Sequence, residues 1–171
     1  MIKIRLFKTI RAKPISYDNL HKRKLDDINY IVIHYTGNSN DTATSNANYF
    51  KNFNTRQAGA HFFISRDGTI VRTIPITRSA WSVGGVKLNN EGGKYYLKCT
   101  NQNSISIEFC DILEKDLSQE QIESAIKLIK YIRSKCKNIT HIIRHYDVTG
   151  KLCPVRYIDN DKWVELRKQL T

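Results

Sequence analysis

Residues 29–34, Asn-Tyr-Ile-Val-Ile-His, constrain the fold more than any other stretch. From Tyr30 to Ile33 the run is apolar without alternation, and three successive positions are β-branched. Such a strand is buried on both faces, so it belongs in the middle of a sheet that is covered on each side. A second apolar run, 139–145, also ends on a histidine. Between the two lies an amphipathic segment, 118–135. Its Ile122, Ala125, Ile126, Ile129 and Ile132 form one stripe, with Lys127, Lys130 and Arg133 off it. Ser118 and Gln121 make a capping box at its start. Strands separated by helices in this order predict an α/β fold with a central mixed β-sheet flanked by helices. At 171 residues the chain is expected to form a single domain around one core.

The remaining elements follow from local pattern. Residues 2–6 read as a short strand, followed by a charged loop that wraps the domain up to residue 27. Residues 42–53 carry Ala43, Ala47, Tyr49 and Phe50 at helical spacing. Residues 60–65 and 70–74 read as two strands joined by a turn at Asp67-Gly68. Residues 104–109, Ser-Ile-Ser-Ile-Glu-Phe, alternate strictly, as a strand with one buried face does. Asp159 caps a final helix with Trp163, Leu166 and Leu170 on one face. The longest irregular stretch, 78–103, contains Gly84, Gly85, Gly92, Gly93, Trp81, Tyr95 and Tyr96. Loops of this length in compact domains are usually functional, and this one reads as the wall of a binding site.

The formal net charge is +12, and it is uneven. The first 24 residues hold eight basic side chains against one acid, Asp18. Such a segment draws the chain toward polyanions: nucleic acid, anionic lipid or the anionic surface of a cell envelope. No nucleic-acid motif accompanies the charge, so specific nucleic-acid binding is not expected. No apolar stretch reaches the ~20 residues a membrane span needs. No uninterrupted apolar region follows the basic start, so a secretory signal is not expected either. The four cysteines suit thiols kept for metal or core packing rather than a disulfide frame.

The chemistry concentrates in His145-Tyr-Asp-Val-Thr-Gly-Lys-Leu-Cys-Pro154. Histidine and cysteine are natural nitrogen and thiolate ligands of zinc, and the Thr, Gly and Pro between and after them bend the chain. A third ligand is needed, and His34, at the end of the first apolar run, is the best candidate. Three protein ligands, His34, His145 and Cys153, leave one tetrahedral position open, the catalytic arrangement of Zn2+. Alone, His34 would more often be a hydrogen-bonded core residue. Glu108 shares its alternation class with Ser104 and Ser106, so it either faces solvent or points from the sheet toward a polar site. In the second case it is a general base for an attacking water. Lys151, two residues before Cys153, would stabilise an oxyanion. His61 either donates to substrate or is a packed histidine. His141, four residues before His145 on the same strand, is expected to crowd the site. His21 reads as a surface residue.

The chain resembles the type-2 N-acetylmuramoyl-L-alanine amidases: phage endolysins, autolysins and the related peptidoglycan recognition proteins. The likeness runs from about residue 28 to 163 and rests on separated motifs in order. They are Ile31-Val-Ile-His-Tyr-Thr36, Ala60-His-Phe-Phe-Ile64 with Asp67-Gly-Thr-Ile70, Ala80-Trp-Ser-Val-Gly84, Asn103-Ser-Ile-Ser-Ile-Glu108, and His145 through Pro154. The resemblance implies a zinc site in a surface groove and an amidase catalytic domain over 28–171, with 1–27 a basic segment packed on it. It implies hydrolysis of the amide between N-acetylmuramic acid and L-alanine in peptidoglycan. In these roles His34, His145 and Cys153 bind Zn2+, Glu108 is the base, Lys151 polarises the carbonyl, and Thr36, His61 and Trp81 contact substrate. Where some members have a catalytic tyrosine this chain has Ala60, and where many have a histidine after the loop tryptophan it has Ser82. The alternative is a catalytically silent peptidoglycan-binding module. An endolysin made in the cytoplasm without a signal peptide would reach the wall through holin-type release.

Overall fold

A computed structural model describes residues 5–171. Six strands form one mixed sheet in the order β1-β4-β3-β5-β2-β6. They are β1 (Lys8–Thr9), β2 (Tyr30–Tyr35), β3 (Phe62–Ile64), β4 (Ile70–Arg72), β5 (Ser104–Phe109) and β6 (His141–Arg144). Only the β3–β4 hairpin is antiparallel; every other neighbouring pair is parallel. The helices are α1 (Ala43–Asn52), α2 (Gln119–Lys135), α3 (His145–Thr149) and α4 (Asn160–Leu170). The expected strand at 2–6 falls largely on residues 1–4, outside the described residues. The strand found nearby is β1, which pairs Lys8 with Val71 and Thr9 with Arg72. The basic segment therefore supplies the edge of the same sheet.

The two faces of the sheet differ in chemistry, and this positions the site. On one face Ile31, Ile33, Ile105, Ile107, Phe109, Phe62 and Ile64 pack against α2 and α4 through Leu128, Ile129, Ile132, Trp163 and Leu166. Each such side chain, fully buried, contributes about 1.5–3 kcal/mol. The capping box at Ser118 and Gln121 is present at the start of α2. The other face carries Val32 and His34 from β2, Phe63 from β3, and Ser104, Ser106 and Glu108 from β5. It is covered by α1, α3 and the long irregular stretch. The alternation of β5 thus separates an apolar core from a polar site rather than core from solvent. All of β5 is buried except Glu108, which is intermediate.

Arg23 departs from the reading of the N-terminal segment as a solvated basic patch. Its side chain is buried, at 8% exposure. It donates to the carbonyls of Ile76, Asn101, Gln102 and Ser104 and lies 3.0 Å from His61 Nε2. Burial lowers its pKa to about 10, so it remains a cation at neutral pH. Removing it orphans several buried carbonyls at once. Arg23→Met is expected to cost about 3 kcal/mol or more, read as a shift in the urea midpoint.

Candidate metal centre

Three elements deliver the three donors. His34 lies near the end of β2 and Glu108 near the end of β5. Register places them directly opposite each other, so both project from the polar face. His145 is not the last residue of a strand, as its apolar run suggested, but the first residue of α3. The strand ends at Arg144 because Asp147 accepts from the Arg144 backbone N–H and pairs with its guanidinium at 2.7 Å, which nucleates the helix. Gly150, with φ +79°, then ends α3 in the left-handed conformation that glycine adopts without strain. The chain folds back, and the Cys153 carbonyl accepts from Tyr146 N–H at 2.9 Å. Cys153 is thereby returned beside His145.

His34, His145 and Cys153 are all buried, and their donor atoms lie within 4.8 Å of one another. His34 Nδ1 is 3.8 Å from Cys153 Sγ and 3.9 Å from Glu108 Oε1. Donors sharing one tetrahedral zinc are roughly 3.3–3.6 Å apart, given bonds of ~2.0–2.3 Å. The spacing needs only a small contraction to hold an ion. Among the described residues, several polar atoms here are buried without a partner: His145 Nδ1, His34 Nε2 and Glu108 Oε2. Buried polar atoms are rarely left so, and a cation would satisfy lone pairs that the protein does not. The protonation states agree. Burial, then the neighbouring His145 and Lys151, hold His34 well below its ordinary pKa. Burial and Lys151 bring His145 to about 4. Both rings are therefore neutral at neutral pH, as metal ligands must be. Burial, then Glu108, pushes the Cys153 thiol far up, so a thiolate here requires a cation beside it. The residues fit a metal ion.

Glu108 keeps 17% side-chain exposure and faces the groove. Burial raises its pKa to about 8, with Lys151 pulling it down and Asp41 pushing it up. Lys151 is exposed on the rim. An open groove of about 740 Å³ is lined by His34, Glu108, His145, Lys151, Cys153 and Trp81 among others. A neighbouring hollow of about 530 Å³ contains Thr36 and shares Glu108 and Lys151 with it.

Three histidines sit elsewhere, of which His21 is exposed beside Asp18. His61 is fully buried. Its Nδ1 lies 3.0 Å from Ser106 Oγ and its Nε2 2.9 Å from the Arg78 carbonyl. Burial and the Arg23 charge lower its pKa to about 3. The expected substrate contact is corrected: His61 is a packed residue whose hydrogen bonds are spent within the protein. His141 pairs with Tyr30 at the far end of the sheet, not with the residues beside His34. Four strand residues separate it from the site, about 13 Å. It packs on Tyr30 and Tyr95, with ring centroids at 5.1 and 5.3 Å. Sequence reading missed the Arg144–Asp147 pair, although an acid three residues after a strand end signals a helix start. It also missed Arg23, for which no local signal exists.

Residues 24–156 match the model of the N-acetylmuramoyl-L-alanine amidase family. The chain is 30% identical over 158 residues to the N-acetylmuramoyl-L-alanine amidase BlyA of Bacillus subtilis (strain 168), covering 86% of this chain and 42% of the relative. Against CwlA of the same organism the figures are 29% over 140 residues, with 81% of this chain and 47% of the relative covered. The chain thus spans less than half the length of these curated relatives. Among solved structures, PlyL superposes over 96% of both chains at 23% identity and a TM-score of 0.73, a likeness of fold. With the match covering most of its length, the chain belongs to the N-acetylmuramoyl-L-alanine amidase family.

Proposed function

We propose that the protein is a zinc amidase of the bacterial cell wall, cleaving the bond between N-acetylmuramic acid and L-alanine in peptidoglycan, as an endolysin or autolysin does. The observation that carries this reading is the buried His34, His145 and Cys153 cluster with Glu108 opposite His34 in one open groove. Nitrogen and sulfur donors of this kind select zinc over the hard cations. Zinc held there supplies Lewis-acid chemistry to the scissile carbonyl and lowers the pKa of water toward ~7.

The chain's own residues do the rest. Glu108 accepts the proton of the attacking water and returns it to the departing alanine amine. Its carboxylate sits in a poorly solvated place, which raises its basicity and suits it to hold a proton between the two steps. Lys151 offers an ammonium at the rim, where negative charge develops on the carbonyl oxygen. Trp81 and Thr36 line the walls on which substrate would lie. Lys151→Ala is expected to lower kcat roughly 10²–10³-fold, the usual cost of one oxyanion donor. Zinc content and melting temperature should stay at the parent values, because Lys151 is exposed.

The decisive experiment combines metal analysis with wall digestion. Roughly one zinc per chain, with chelator-sensitive release of alanine N-termini, is the expected result. Zinc without cleavage of any wall would instead support a silent binding module. Attraction to the anionic envelope is assigned to Lys22 and Lys24, both exposed, and not to Arg23. Lys22→Gln with Lys24→Gln should weaken lysis of whole cells more than cleavage of soluble muropeptides, and more so at low salt. Equal losses on both substrates would reject this role.

A further inference from the structure

We infer that Asn101, Ser82 and Gly84 form a subsite beside Trp81 that binds a secondary amide of the substrate. The inference rests on the peptidoglycan reading and adds a specificity device to it.

Asn101 Oδ1 accepts from two successive backbone N–H groups, Ser82 at 3.0 Å and Val83 at 2.9 Å. Both lone pairs of that oxygen are occupied, and the orientation of the amide follows from the chemistry, since Nδ2 cannot accept. The two N–H donors of Nδ2 are therefore turned away from the loop. Among the described residues they have no partner. Gly84 lies over Nδ2: a Cβ there would come within 3.4 Å of it. The φ of Gly84 is outside the left-handed region, so the backbone gives no reason for glycine. What the missing side chain provides is access to Nδ2. Ser82 Oγ is also buried without a partner. Asn101, Ser82, Gly84 and Trp81 line the same groove as His34 and Glu108.

The subsite is held rigidly. Trp81 N–H donates to the Ser16 carbonyl at 3.2 Å, and its own carbonyl accepts from Gly59 at 3.1 Å. The Asn101 carbonyl accepts from the buried Arg23 at 2.8 Å. A donor fixed in this way recognises a carbonyl oxygen, and a serine hydroxyl beside it accepts an amide N–H. A secondary amide offers both. Peptidoglycan presents that group in the acetamido substituent of its sugars and in its peptide bonds. Trp81 favours the sugar, because an indole face suits the apolar face of a pyranose ring.

Asn101→Asp separates recognition from loop structure. The aspartate oxygen still accepts from Ser82 and Val83, but the NH2 donor is gone. On an N-acetylmuramoyl-peptide substrate we expect KM to rise roughly tenfold, the worth of one good hydrogen bond, with kcat within about twofold. Gly84→Ala, which covers Nδ2, should act in the same direction. A direct readout uses the side-chain amide signals of Asn101 in a 15N-correlated spectrum of the zinc-loaded protein, assigned by their loss in Asn101→Asp. They should shift saturably with N-acetylmuramoyl-L-alanyl-D-isoglutamine. A de-N-acetylated analogue that leaves them unmoved assigns the acetamido group. A sugar-free dipeptide that shifts them assigns a peptide bond. Signals unmoved by every ligand at saturation, or an unchanged KM in Asn101→Asp, would overturn the inference. Failure of the parent protein to cleave any wall would count against the amidase reading alone, since the spectrum reports binding at Asn101 without turnover.

Discussion

Serine in place of Cys153 is expected to leave a folded protein that keeps no zinc through purification and releases no alanine termini above background. The exchange removes only polarisability and acidity, because Sγ and Oγ occupy nearly the same space. Under the proposed reading, those two properties hold the ion. A thiolate forms beside a cation, whereas a serine hydroxyl stays protonated at neutral pH and bonds zinc weakly. Loss of a group that merely orients a ligand costs about 10–100-fold in metal affinity, so loss of a ligand should exceed roughly 100-fold. The measurement is metal content by elemental analysis, with thermal melting as the control for folding. The parent should melt higher with zinc than after chelation, since an ion that binds only the folded state stabilises it by mass action. In the serine variant this gap should close. Full zinc content in that variant would remove Cys153 from the ligand set.

Glutamine in place of Glu108 should do the opposite to the two observables, leaving zinc in place and lowering turnover. The side chain keeps its size, and the amide can still hydrogen-bond, but it cannot take a proton. A positioned general base contributes typically 10²–10⁴-fold, and a loss of about that size in kcat is expected. In the zinc-free protein, stability should rise or hold. The carboxyl has a pKa of about 8 in the fold against an ordinary value of 4.5, so at neutral pH the buried site disfavours the ionised form that the unfolded chain prefers. That penalty acts above pH 4.5, grows until about pH 8, and is absent in the amide. A higher melting temperature of the zinc-free variant, with lower activity of the zinc-loaded one, is the signature of a group kept for chemistry rather than stability. A glutamine variant of parental activity would reassign the base.

Much of the scaffold was legible because local physics dictates it. The unalternating run at Ile31-Val32-Ile33 places β2 in the sheet interior, and the stripe on α2, with its Ser118 and Gln121 box, follows from helical period and capping alone. The three candidate ligands could be named from residue type, but His145 and Cys153 at that separation are a weak signal and His34 alone reads as a core residue, so their meeting was not legible. The polar alternation of β5 was visible too, but its meaning was not. Solvent and a lined groove both favour Ser104, Ser106 and Glu108 on one face, and only the covering loop distinguishes them.

His61 and Arg23 lay beyond sequence reading for one reason. Neither has a sequence-local partner: Arg23 meets carbonyls 53 to 81 residues away, and His61 meets Ser106 at a separation of 45. A charged residue in a basic stretch looks solvated until the fold closes over it. His141 and His145 were separated by a strand-to-helix change that period alone does not locate. The sequence by itself determined which side chains are candidates to bind a metal and take a proton, and where β2, β5, α2 and α4 run, because these depend on near neighbours and residue type. Tertiary structure decided which of those side chains meet. Strand register sets His34 opposite Glu108, the turn after α3 returns Cys153 to His145, and burial then fixes the charge each carries, through contacts that no local pattern encodes.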